Sequence, residues 1–131
     1  MTASDRAAVL DASALLALLF DEAGAGRVEA ALGDARLSAV NWAEVLQRIA
    51  GLGLPVAGRR PAIEALGVVI EPFTPDDAQL AAELRAPTRS AGLSLADRAC
   101  LALARRLDRP ALTADRAWAS VAVGVRVVVV R

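Results

Sequence analysis

The stretch 94–115, SLADRACLALARRLDRPALTAD, decides the fold. Its first part predicts a helix over Ser94–Leu107, because Leu95, Ala99, Cys100, Leu103 and Leu107 fall on one face at helical spacing. Ser94 followed three residues later by Asp97 fits a capping box. Pro110–Thr113 then predicts a short buried strand, with Asp115 just beyond it. A helix leading into a strand that ends at an acid is one unit of an alternating α/β chain.

The rest of the sequence repeats that alternation. Upstream, Ala7–Leu10 predicts a strand ending at Asp11, and Ser13–Phe20 a largely buried helix rich in leucine. Glu22–Gly24 turns the chain into a short helix over Gly26–Leu32, and Arg36–Ala39 predicts the second strand. Asn41–Ala50 predicts a helix with Val45, Leu46 and Ile49 on its apolar face. Glycines 51, 53 and 58 and Pro55 then break the chain, before a helix over Ala62–Leu66. Val68–Glu71 predicts the third strand, closed by Pro72. Pro75–Ala86 predicts a helix opened by Asp76 and Asp77, with Leu80, Ala81 and Leu84 inward, and Pro87–Gly92 a loop. After the opening stretch come a short helix over Asp115–Ala119 and a last strand over Arg126–Val130. Strands separated by helical crossovers favour a parallel sheet covered on both faces, so the expected fold is a three-layer α/β/α sandwich. No repeat, low-complexity tract or linker divides the 131 residues, which read as one domain over 1–131.

Composition narrows the chemistry. The 15 basic residues are all arginine, they balance 15 acids, and histidine is absent. Zero net charge supplies no global basic field for nucleic acid. Lack of histidine excludes imidazole acid–base catalysis, Ser-His-Asp triads and His-ligated zinc. Lack of lysine excludes a Walker loop. The single cysteine, Cys100, sits on an apolar helix face and reads as inert core; one thiol permits no internal disulfide, which fits a reducing cytoplasm. Met1–Asp11 lacks a signal-peptide pattern, and no apolar run approaches the ~18 residues that span a bilayer.

Carboxylates, hydroxyls and arginines remain. Asp11 and Asp115 each follow a predicted strand, Glu44 lies in the first turn of the helix after the second strand, and Asp97 lies in the first turn of the Ser94–Leu107 helix. In open α/β sheets, sites form beyond the carboxyl ends of the strands, so the fold brings these four acids to one edge. Each has a bland explanation. Asn41–Glu44 and Ser94–Asp97 both fit capping boxes, Asp11 and Asp115 fit N-caps, and acids in a first turn suit the helix dipole. Together, however, like charges in one cleft repel. A hard cation, Mg²⁺ or Mn²⁺, relieves the repulsion, and it suits phosphodiester hydrolysis. Ser13 and Thr113 flank Asp11 and Asp115 at a two-residue offset, as contacts to water or phosphate or as hydroxyls bonding the turn backbone.

Four segments, Val9–Leu16, Ser38–Val45, Gly92–Leu101 and Leu112–Trp118, carry these acids in order. They resemble the four motifs of PIN-domain ribonucleases, and most closely the VapC-like toxins of type II toxin–antitoxin systems. The resemblance runs from Val9 to Val130. It implies a sandwich with a mainly parallel sheet of about five strands. It also implies a Mg²⁺- or Mn²⁺-dependent endoribonuclease that cuts tRNA or rRNA and arrests growth. By motif position Asp11 and Asp97 are the main metal ligands, and Glu44 and Asp115 complete the site directly or through water. The implied partners are a second copy of the chain and a VapB-like antitoxin.

Arg98 and Arg116 follow site acids, as contacts to substrate phosphate or, the simpler role, as surface ion-pair partners. Arg85 and Arg89 flank the expected loop, and Arg59 and Arg60 sit in the broken segment, as contacts to RNA or antitoxin. Trp42 and Trp118 offer base stacking, with packing beside the motif helices the simpler role. Phosphoaspartyl domains gather acids at a sheet edge too, but they need a lysine. A PIN-like nuclease of RNA processing and a non-catalytic module with a structural acidic cluster are the alternatives to the toxin.

Overall fold

Strand β1 is only Val9–Leu10, yet it is the centre of the molecule. The structure, a computed structural model, describes residues 7–131; part of the Met1–Asp11 stretch considered above lies outside them. Beside β1 run β2 (Ala35–Ser38) and then β3 (Val68–Glu71) on one side, and β4 (Ala111–Thr113) and then β5 (Val127–Val129) on the other. All four pairings are parallel, as expected for strands joined by helical crossovers. The helices are α1 (Ala12–Leu19), α2 (Ala25–Ala30), α3 (Ala39–Gly51), α4 (Arg59–Ala65), α5 (Pro75–Glu83), α6 (Arg85–Thr88) and α7 (Leu95–Leu107).

Neighbouring residues of a strand point to opposite faces, and the core divides accordingly. Leu10 and Leu112 join Leu37, Val68 and Val128 in a cluster with Leu15 of α1, Val28 of α2, Val45 and Ile49 of α3 and Ile63 of α4. Val9 and Ala111 face the other way, into a cluster with Cys100, Leu101 and Leu103 of α7, Leu84 and Trp118. The predicted three layers, and the inert burial of Cys100 and Trp118, follow from this division. Trp42 is partly buried against the first cluster.

Three local expectations are corrected. The helix expected over 41–50 begins at Ala39, because the Ser38 hydroxyl at the end of β2 accepts from the Val40 N–H at 3.2 Å. Asn41 is therefore inside the helix rather than its cap, and Glu44 lies in its second turn. The helix expected over 75–86 ends at Glu83, and the expected loop 87–92 is instead α6 and a 3-10 turn over Arg89–Ala91. Pro87 has no N–H for the Glu83 carbonyl four residues back, so α5 cannot run through it. Chain direction is recovered by Thr88, whose buried hydroxyl donates to the Leu84 carbonyl at 2.7 Å. Leu95, expected inward, is 56% exposed, since it opens α7 at the sheet's carboxyl edge where none of the described elements covers it.

One buried acid is purely structural. Asp77 closes a capping box with Thr74 at the start of α5 and accepts two bonds from Arg106 of α7, at 2.8 and 3.1 Å. This pair clamps the two helices of the second layer. Among the described residues no helix is long and apolar enough to cross a membrane.

Candidate active site

The chain passes from β1 through β2 to β3, then returns to the opposite side of β1 to add β4 and β5. Loops therefore diverge above β1 and β4, opening a crevice at the carboxyl ends of the strands. A cleft of about 530 Å³ lies there, lined by Asp11, Ser13, Leu16, Glu44, Gln47, Arg48, Leu52, Asp97 and Asp115, among others. All four predicted acids meet in it.

Asp11 leaves β1 and caps α1, its Oδ1 accepting from the Ala14 N–H at 2.8 Å. The Ser13 hydroxyl reaches both carboxylate oxygens, at 2.8 and 2.9 Å, and the Thr113 hydroxyl donates to Oδ2 at 2.6 Å. Burial pushes the Asp11 carboxyl from 3.8 up to about 6; the bonds from Thr113, Ala14 and Ser13 oppose that rise, and the charge of Asp97 adds to it. Each hydroxyl also binds a backbone N–H, Ser13 accepting from Ala114 at 2.9 Å and Thr113 from Asp115 at 3.0 Å. Together they clasp the end of β4 to the start of α1 and aim Asp11 at the same time. Ser13 lines the cleft, whereas Thr113 is fully buried behind Asp11.

Glu44 enters from α3. Asn41, one turn earlier and fully buried, donates from Nδ2 both to Glu44 Oε1 and to the Ala96 carbonyl, each at 3.0 Å. This single amide joins α3 to the first turn of α7, next to Asp97. Burial raises the Glu44 carboxyl; the Asn41 bond lowers it, and the charge of Asp97 raises it further. Asp97 itself closes the predicted capping box, with the Ser94 N–H donating to Oδ2 at 2.9 Å and its own N–H donating to Ser94 Oγ at 3.1 Å. Asp115 is exposed and caps the 3-10 turn Arg116–Ser120 through a 2.9 Å bond from the Ala117 N–H. Beneath these groups lies Cys100, its thiol pushed up by burial and by the charges of Asp11, Asp97 and Glu44.

Capping does not take Asp11, Asp97 and Asp115 out of the cleft: each is held by a local backbone bond and still lines it. Glu44 has no capping role and no backbone partner in the first turn of α3. Among the described residues no three His, Cys, Asp or Glu side chains stand close enough to hold a metal ion as they are placed. The donor set nonetheless fits a hard divalent cation, since every donor is a carboxylate oxygen and the repelling charges line one cleft. Such an ion keeps several of its waters, so partial ligation through water suits the spread of these acids.

Sequence reasoning placed the acids but not Asn41 as their tie, nor Gln47 and Arg48 in the cleft wall. Their signal was helical spacing: residues three and four beyond Glu44 share its face of α3. Arg98 turns inward, donating to the Ala81 carbonyl at 2.7 Å and linking α7 to α5.

The PIN domain family matches residues 8–124. No match to a curated protein is found. Among solved structures, a toxin–antitoxin complex from Klebsiella pneumoniae is similar at 23% identity, with a TM-score of 0.70 over 92% of this chain and 95% of that one. VapC20 of Mycobacterium tuberculosis, a sarcin–ricin-loop-cleaving toxin, is similar at 21% identity and a TM-score of 0.64, over 90% of this chain and 98% of its own. FitAcB of Neisseria gonorrhoeae is similar at 24% identity and a TM-score of 0.63, over 92% and 95% of the two chains. With the family matched over most of its length, its acids at one sheet edge and its parallel five-stranded order, the chain belongs to the PIN domain family of nucleases.

Proposed function

We propose that this chain is a divalent-metal-dependent endoribonuclease and the toxin of a VapBC-type toxin–antitoxin module. The observation that carries the reading is the convergence of Asp11, Glu44, Asp97 and Asp115, from four separate segments, on one cleft. Asp11 and Asp97 would hold Mg²⁺ or Mn²⁺, with Glu44 and Asp115 completing the site directly or through water. A bound ion supplies a polarised phosphoryl oxygen, an activated water and a stabilised leaving oxygen.

The protein's own part is placement. Ser13, Thr113 and the Ala14 N–H fix the orientation of Asp11 before any ligand arrives. Asn41 does the same for Glu44. Ser94 fixes Asp97. Groups held this way need little reorganisation as the reaction begins. No imidazole is present to move a proton, so that task falls to a carboxylate or to water.

The toxin role is supported by the similar structures, which include toxin–antitoxin complexes and an RNA-cleaving toxin. An antitoxin partner, tRNA or rRNA as substrate, a homodimer, a cytoplasmic location and a single domain over 1–131 complete the proposal. Expression in a bacterial host tests it, comparing the chain with Asp97→Asn at matched protein levels. Growth arrest by the unsubstituted chain alone, relieved by its antitoxin, is the expected result. Arrest by both proteins would instead favour a non-catalytic module, the reading that the capping roles of three of the acids otherwise support.

A further inference from the structure

A second cavity of about 390 Å³ adjoins the acidic cleft and shares Ser13, Leu16, Arg48 and Asp115 with it. Its remaining wall brings in Phe20, Glu22, Arg116 and Arg131. Among the described residues, Arg48, Arg116 and Arg131 have no ion-pair partner, whereas Arg36, Arg60, Arg106 and Arg109 are engaged by acids. Phe20, just past the end of α1, is 39% exposed and presents an aromatic ring beside these guanidinium groups. The side chains of the annex wall carry two carboxylates, Glu22 and Asp115, and three guanidinium groups, Arg48, Arg116 and Arg131.

We propose that this annex is a nucleotide subsite of single-stranded RNA, next to the bond that is cut. A base packs on Phe20, and the phosphate flanking the scissile one lies on Arg48 and Arg116. Free guanidinium groups bind phosphate oxygens, and an exposed aromatic ring accepts any base face. Duplex bases are already stacked on each other, so the arrangement selects a single strand. A strand lying across the acids must leave the cleft somewhere. The shared wall of Ser13, Arg48 and Asp115 makes this annex a continuous exit. The inference rests on the nuclease reading for the polarity of the groove, and on the annex residues alone for binding.

The test measures binding of a short fluorescein-labelled oligouridylate to the full chain by fluorescence anisotropy, with Ca²⁺ present to neutralise the acids. Arg48→Gln, Arg116→Gln and Phe20→Leu are compared with Arg105→Gln, which removes the same charge from a separate cavity beside Pro110 and Arg126. Weakening of about tenfold by Phe20→Leu is expected. Each annex arginine substitution should weaken binding and lower the salt slope by ~0.7, one phosphate contact on a single strand. Arg105→Gln should change neither. Equal affinity of all four variants and the unsubstituted chain, or no binding by the latter, would overturn the subsite. So would a glutamate-rich peptide that binds as tightly and ignores Phe20→Leu, since the annex would then be a site for an acidic protein segment. Metal-dependent RNA cleavage, scored separately, distinguishes the two readings: cleavage without annex-dependent binding sinks the subsite alone, and binding without cleavage sinks the nuclease alone.

Discussion

Asp11 stands at a buried point where a carboxylate charge is expensive unless a cation arrives. Its carboxyl is pushed up to about 6, so between pH 4 and 6 the folded chain keeps a proton that the unfolded chain has lost. Stability of the metal-free protein is therefore predicted to fall as pH rises through that window, by up to about 3 kcal/mol from this group. Thermal melts in EDTA at pH 4.5 and about pH 8 check the sign. Asp11→Asn keeps an N-cap side chain but removes the charge. It should flatten that pH dependence and raise the metal-free melting temperature at pH 8, while abolishing nuclease activity. Mg²⁺ or Mn²⁺ should stabilise the unsubstituted chain by linkage, and more strongly at pH 8 than at pH 5, because the ion needs the ionised carboxylate. An equal shift at both pH values would remove Asp11 from the metal site.

At the scale of elements, the junction between α3 and α7 matters most. Asn41 bridges it with two 3.0 Å bonds, and its loss frees Glu44 and leaves the Ala96 carbonyl unpaired. Asn41→Ala should lower stability by about 1–2 kcal/mol and lower kcat in protein that remains folded, with a rise in the metal concentration needed for activity. Asp77 supplies the contrast, being an acid buried away from the cleft and paired with Arg106. Asp77→Ala should destabilise by about 1–2 kcal/mol, from the lost capping box and ion pair, yet leave activity per folded molecule unchanged; urea unfolding and turnover measured on the same samples separate the two. These elements also show what the sequence made legible. Val68–Glu71 was readable to the residue, because a β-branched run is closed by Pro72. The start of α3 was not, because two polar residues competed for the cap and Ser38 won by ending β2. The candidate acids Asp11, Asp97 and Asp115 were legible because each follows a strand or opens a helix, whereas Glu44 lies a turn deeper in α3 than its pattern suggested. Asn41 was not, since its second partner, Ala96, lies 55 residues away.

For the whole molecule, what makes the site is the return of the chain across β1. Sequence pattern supplied parallel strands and two covered faces, through alternation of short β-branched runs with amphipathic helices. It could not supply the order β3-β2-β1-β4-β5, since pairing between Val9 and Ala111 is a non-local contact that no local pattern encodes. That order puts Asp11 beside Thr113 across β1 and β4, with Asp115 two residues further on, and the crossovers carry Glu44 and Asp97 to the same edge. The measurement that tests this assembly most directly is cleavage of single-stranded RNA by the purified chain and by Asp11→Asn, in Mn²⁺ and in EDTA, with melting temperatures recorded alongside. The account predicts cleavage only by the unsubstituted chain, only with the ion, and a folded but inactive variant. Cleavage by folded Asp11→Asn at the same rate, or cleavage indifferent to EDTA, would contradict it.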